Sequence, residues 1–205
     1  TLRFAPMGGL RAGTPYEVRI AATVGGPQRM GDYIWEFNTP VPELSSTTPA
    51  AGAVDVDIAN GTIIAAFDHG VNADVFLAPE NVRLFAAGAP LKIANLEYIG
   101  DNRTLRFGAV GGLRAGTPYE VRIAAVAGGP QRLGDYGWEF STAVPLLVDT
   151  DPEAFAVDVS STIREFSAHF SASIDADQLT ADNFVLARQG IEVVLRPGDP
   201  IHRGD

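Results

Sequence analysis

Any chemistry in this chain would have to come from three histidines, a few duplicated carboxylates and two acidic pairs. His69, His169 and His202 have no Ser or Cys nucleophile at an evident spacing. No G-x-S-x-G, H-E-x-x-H, P-loop or G-x-G-x-x-G occurs. Glu17 and Glu120 are duplicates of one another, as are Glu36 and Glu139. Each lies at an outward position of an alternating run, which reads as a solvated strand face rather than an acid–base pair. Asp55 and Asp57 bracket a short run, and Asp149 and Asp151 lie where one sequence unit gives way to the next. Such oxygen-rich places can hold Ca²⁺, which needs six to eight oxygen ligands. The plainer reading is that acidic residues decorate polar turns. Arg203-Gly204-Asp205 spells an attachment tripeptide, but it occupies the turn that Gly100-Asp101-Asn102-Arg103 occupies elsewhere. The expectation is therefore no catalytic, cofactor-binding or metal residue, with Ca²⁺ the one cofactor left open.

The elements that would position these residues repeat out of phase. Residues 1–40 and 104–143 differ at nine of forty positions, at an offset of 103. Self-similarity at a fixed period sets the architecture before any local reading does. The intervening stretches align more weakly: Pro42 with Pro145, Pro49 with Pro152, Val54-Asp55-Val56 with Val157-Asp158-Val159, and Phe67 with Phe170. The chain thus divides into three parts. Residues 1–40 are the C-terminal part of a unit, 41–143 a complete unit, and 144–205 the N-terminal part of another. A unit of about 100 residues is the usual size of a small sandwich.

Composition narrows the class. Net charge is −10, with no basic stripe, so a phosphate backbone would be repelled and nucleic acid is excluded as a partner. No apolar run approaches the roughly 18 residues needed to span a bilayer, so membrane insertion is not expected. Cysteine is absent, which removes disulfides and thiolate metal sites and is compatible with secretion. The 22 Gly and 14 Pro punctuate short alternating runs, the pattern of an all-β sandwich. Tyr119, Val121 and Ile123 share one face against Glu120 and Arg122. Leu105 and Phe107 face inward, as do Trp138 and Phe140. The outward Glu and Arg residues read as cross-strand pairs. Further strands are expected at 43–46, 53–57, 61–68, 81–86 and 92–98, with a helical turn at Ala73–Leu77. The expectation for 41–143 is a seven-stranded antiparallel sandwich.

The residues Pro42…Pro49-x-x-Gly52-Ala53-x-x-Val56, then Thr62…Phe67, then Leu105-x-Phe107…Leu113-x-x-Gly116-x-x-Tyr119-x-Val121…Trp138-x-Phe140-x-Thr142 resemble bacterial Ig-like domains. That resemblance implies tandem Ig-like antiparallel β-sandwiches, one complete and two partial. It also implies a tyrosine corner at Tyr119, whose hydroxyl would bond back to the backbone. Members are found in surface-layer proteins, adhesins and large secreted proteins. One departure is Gly128–Asp135, where many members carry an Asp-x-x-Gly-Asn turn, so no role of that turn is carried over.

The phase of the repeat points to self-association. In an Ig sandwich both sheets draw strands from both parts of a unit, so 1–40 and 144–205 would each expose half a core. They are complementary: 144–205 followed by 1–40 rebuilds a unit of 102 residues against 103. The linkers at 40–42 and 143–145 are too short for the two parts of one chain to meet across the central unit. The expected partner is a second copy, head to tail, either within a continuous array or between subunits that share a sandwich. The near-seamless match of Asp205–Thr1 to the intact unit, and the absence of an initiating Met, favour the continuous array. The expected role is a structural repeat of an extracellular or cell-surface fibre, sheath or surface layer. The alternative is a stalk or spacer module of a larger adhesin or secreted hydrolase.

Overall fold

The computed structural model describes residues 1–100, 103–175, 179–180 and 183–193. Asp101, Asn102, His202, the Arg203-Gly204-Asp205 tripeptide and the Asp205 end of the expected junction lie outside the described residues.

Residues 1–40 contribute one hairpin, β1 (Pro15–Ile20) and β2 (Tyr33–Asn38), paired antiparallel with Tyr16 opposite Phe37. The next hundred residues form nine strands: β3 (Leu44–Thr48), β4 (Ala53–Val56), β5 (Thr62–Phe67), β6 (Val82–Ala86), β7 (Ala89–Leu91), β8 (Ile93–Ile99), β9 (Thr104–Ala109), β10 (Pro118–Ile123) and β11 (Tyr136–Thr142). One helical turn, α1 (Ala73–Phe76), follows β5. The trailing part supplies β12 (Leu147–Asp151) paired with β13 (Ser167–Phe170), and β14 (Leu186–Arg188) paired with β15 (Ile191–Val193).

The nine central strands make two sheets, ordered β3-β5-β9-β8 and β4-β11-β10-β6-β7. This is two strands more than the expected seven-stranded antiparallel sandwich. One is β7, which folds back on β6 because Ala87 and Gly88 both take positive φ and close a tight turn. The other comes from the division of the first strand into β3 and β4, and β4 runs parallel to β11 rather than antiparallel. The chain switches sheets between β3 and β4, so β4 joins the far edge of the second sheet while keeping its direction.

Period-two burial holds where it matters. In β10 the inward Tyr119, Val121 and Ile123 are buried, and in β11 Tyr136, Trp138, Phe140 and Thr142 are buried. Opposite them, β5 and β9 bring Ile63, Ala65, Phe67, Leu105 and Phe107 into one core. Apolar burial of this kind contributes about 25 cal/mol per Å² removed from water. The polar face of β10 departs from the expected cross-strand pairing. Glu97 and Arg106 do pair across β8 and β9. Arg122 instead pairs along its own strand with Glu120. The register explains this: Arg122 sits opposite Gly137 and Arg83, and Glu120 opposite Glu139, so neither has an oppositely charged residue directly across.

Thr1 corresponds to Thr104, the first residue of β9, so residues 1–40 repeat the stretch from the seventh strand of the unit onward. β9 lies inside the first sheet, between β5 and β8, and β10 with β11 lies inside the second, between β6 and β4. In the central unit the stretch that 1–40 repeats thus lies inside both sheets, and the stretch that 144–205 repeats supplies the strands on either side of it.

Candidate functional site

The acidic pairs do not converge. Asp57 caps the turn Ile58–Asn60 by accepting from the Ala59 amide at 3.0 Å. That bond, reinforced by the Ser173 hydroxyl, holds its carboxyl below the usual carboxylate range. Asp55 stands at positive φ in β4. Asp149 lies 3.9 Å from the imidazole of His169, with both side chains exposed. Asp151 ends β12. Among the described residues no group of three or more His, Cys, Asp or Glu side chains is placed to hold a metal ion. Glu17, Glu36, Glu120 and Glu139 stay on outer faces, opposite one another in pairs across each hairpin. His69 contacts Asp68 at 3.0 Å, and Asp68 is held low mainly by the Glu43 amide that it accepts from at 2.7 Å.

The two apolar surfaces left open by the partial units form a more coherent feature. In the complete unit Leu105 and Phe107 are 0% and 1% exposed, and Trp138 and Phe140 are 5% and 3%. Their counterparts in 1–40 are Leu2 at 66%, Phe4 at 60%, Trp35 at 43% and Phe37 at 36%. On the trailing side Phe166, Phe170, Phe184 and Leu186 are exposed, whereas the matching Ile63, Phe67, Val82 and Leu84 are buried. Exposed apolar side chains in such numbers are a candidate interaction feature.

Local geometry on the two sides of the repeat is the same. The Tyr119 hydroxyl accepts from the Arg114 amide at 2.6 Å, and Tyr16 does so from Arg11 at 2.7 Å. This is the tyrosine corner expected from the resemblance. Tyr119 stacks on Phe140, and Tyr16 stacks on Phe37. Arg132 lies 3.9 Å over Tyr136, and Arg29 lies 4.0 Å over Tyr33. The Tyr136 hydroxyl donates to Pro42 O at 2.7 Å, and burial pushes this phenol up. Tyr33 has the same aromatic–guanidinium arrangement but is 40% exposed. The trailing hairpin β14–β15 repeats β6–β7 at an offset of 102, with Gln189 and Gly190 taking the positive φ of Ala87 and Gly88. The one-residue shortening of the rebuilt unit therefore falls before this hairpin.

The residues that join one unit to the next carried no signal in any motif. Asn72, buried, accepts from the Ala12 amide at 2.9 Å and donates its own amide proton to Ala127 O at 3.2 Å. Arg11 pairs with Asp74 at 2.7 Å. Gln131 donates from its amide to Gly13 O at 3.2 Å. Gly13 and Gly129, both at positive φ, meet so closely that a Cβ on Gly129 would lie 1.9 Å from Ala12 O. Only glycine permits that approach. At the other end of the central unit Asp175, the counterpart of Asn72, accepts from the Ala115 amide at 2.8 Å. The alignment of Asn72 with Asp175 at an offset of 103 was the one available hint.

The chain is similar to several known proteins over part of its length. No curated protein matches the chain in sequence. The N-terminal part of the bacterial S-layer protein SbsC is 18% identical, with a TM-score of 0.37, over 54% of this chain and 25% of that one. The L,D-transpeptidase LdtMt1 is 18% identical, with a TM-score of 0.36, over 53% of this chain and 42% of that one. CopC from Methylosinus trichosporium OB3b is 16% identical, with a TM-score of 0.36, over 50% of this chain and 94% of that one. The chain thus spans only a quarter of the S-layer structure and less than half of the transpeptidase. No helix among the described residues is long and apolar enough to cross a membrane. A model of the bacterial Ig-like domain matches residues 38–142, the stretch that folds around the complete core, and it is to this family that the chain belongs.

Proposed function

We propose that this protein is a non-catalytic structural repeat of an extracellular bacterial fibre, sheath or surface layer. Copies assemble head to tail: the 144–205 part of one copy and the 1–40 part of the next complete a split Ig-like sandwich. One observation carries the reading. Leu2, Phe4, Trp35 and Phe37 on one side, and Phe166, Phe170, Phe184 and Leu186 on the other, are exposed where their counterparts in the complete unit are buried, as the two halves of one core would be. Completion would place strands equivalent to β9, β10 and β11 inside sheets whose outer strands come from the neighbour. Every edge left open by the cut would then be paired. Because the driving force is apolar burial rather than charge pairing, the link should resist salt.

Sedimentation velocity and negative-stain microscopy of the 205-residue chain test this. The expected result is a concentration-dependent series of linear polymers that persists in high salt. A chain that stays monomeric over the accessible concentration range, or that dissociates in salt, overturns the reading.

A further inference from the structure

We propose that an incoming copy docks on two units of its neighbour: it completes the trailing sandwich, and its loop Val24–Gln28 also locks onto the pole formed by Ala115 and Gly116. The inference rests on the head-to-tail reading and adds a contact which that reading does not require.

The geometry comes from the junction the chain already contains. There the pole Ala12–Gly13 of the first partial unit is buried against the loop Ala127–Gln131 of the central one. Gln131 donates to Gly13 O, Gly129 lies against Ala12 O, and Asn72 bridges Ala12 and Ala127. The pole side of this contact recurs unchanged in sequence, and the loop side recurs with Val24 in place of Ala127. Residues 111–118 repeat residues 8–15 without a difference, and residues 25–29 repeat 128–132.

At the second junction half of the contact is present. Asp175 accepts from Ala115, as Asn72 does from Ala12. Among the described residues no loop takes the place that Ala127–Gln131 holds at the first junction. Gly116 is exposed where Gly13 is buried, and Ala115 is only partly buried where Ala12 is fully so. The matching loop of this chain, with Gly26 at positive φ and nothing within 4 Å of a Cβ placed on it, lies at the far end. A second copy that completes 144–205 would bring its own Val24–Gln28 to the place that Ala127–Gln131 occupies at the first junction. Its Gln28 amide would donate to Gly116 O, and its Gly26 would pack on Ala115 O. Every junction along the polymer would then share one backbone-to-backbone geometry, which fixes the angle between successive units.

The protein has no cysteine, so introduced thiols report cleanly. Three double variants of the full chain, each at exposed positions, are treated with a short bis-maleimide. Gln28→Cys with Arg114→Cys reports the proposed lock between copies. Arg11→Cys with Gln131→Cys reports the same contact inside one chain. Arg19→Cys with Val185→Cys reports completion of the sandwich, because these positions match Arg122 and Arg83, which face each other across β10 and β6. The expected result is a ladder of linked chains from the first variant, formed as readily as the within-chain link of the second. A ladder from the third variant without one from the first overturns the lock and leaves head-to-tail completion standing. No ladder from either overturns both.

Discussion

Trp35 offers the sharpest test of head-to-tail completion, because the chain has only two tryptophans and the other marks the finished state. Trp138 is 5% exposed in the complete unit and Trp35 is 43% exposed in the partial one. Completion should therefore hide roughly two-fifths of an indole. Aromatic side chains bury ~150–250 Å² in all, so this amounts to about 60–100 Å². At about 25 cal/mol per Å² the gain is about 2 kcal/mol. Trp35→Ala should weaken association between copies by about thirtyfold from that area alone, a factor of ten being worth about 1.4 kcal/mol. The cavity left in the shared core adds to the loss. Trp138 Nε1 makes no hydrogen bond among the described residues, so Trp138→Phe removes volume without orphaning a partner. In that variant Trp35 is the sole reporter. Its emission should shift to the blue as concentration rises, in step with sedimentation. An emission maximum that stays at the solvent-exposed position while the chain polymerises, or association by Trp35→Ala as tight as that of the parent, would refute the shared-core argument.

Other outcomes follow from the complete unit. Trp138→Ala should cost about 3–5 kcal/mol by cavity formation, read as a fall in the denaturation midpoint at unchanged slope. Tyr119→Phe removes the corner bond to the Arg114 amide and leaves that donor unpaired, which should cost about 1–3 kcal/mol in the same assay. Asp68 is held below its ordinary value of 3.8 chiefly by the Glu43 amide. Its stabilising contribution is therefore fully present above pH 3.8 and is lost as pH falls through the lower folded-state value. Asp68→Asn, whose amide oxygen can still accept that bond, should flatten the acid limb of the stability–pH curve. An acid limb as steep as the parent's would show that the stabilisation does not come from this carboxylate.

How much of this was legible in the sequence depends on the reach of each contact. The alternation at Tyr119, Val121 and Ile123 and at Trp138 and Phe140 gave the core strands, because one residue in two must face inward whatever the partners are. The tyrosine corner spans five residues, so its spacing alone was enough. The hairpin β1–β2 forms with the same register as β10–β11 for the same reason: both strands lie in one local segment. The sheet switch that makes β4 run parallel to β11, and the β7 fold-back, depend on which edges remain open after the other strands have paired, and no local pattern encodes that. The unit-to-unit contact at Asn72 was also hidden, since an Asn in a polar loop looks the same whether or not an amide from sixty residues away reaches it.

The segment Thr-Leu-Arg-Phe shows the division most plainly. At 104–107 it belongs to β9, hydrogen-bonded to β5 on one side and β8 on the other, with Leu105 and Phe107 buried. At 1–4 the same four residues form no strand, and Leu2 and Phe4 face solvent. Sequence by itself determined which residues could face a core and where the chain could turn, because those preferences are set by side chains a few positions apart. Whether a given run becomes a strand was decided only by the tertiary structure. A strand in the middle of a sheet takes its hydrogen bonds from neighbours far along the chain, and without them its backbone bonds to water and its apolar face has nothing to cover it.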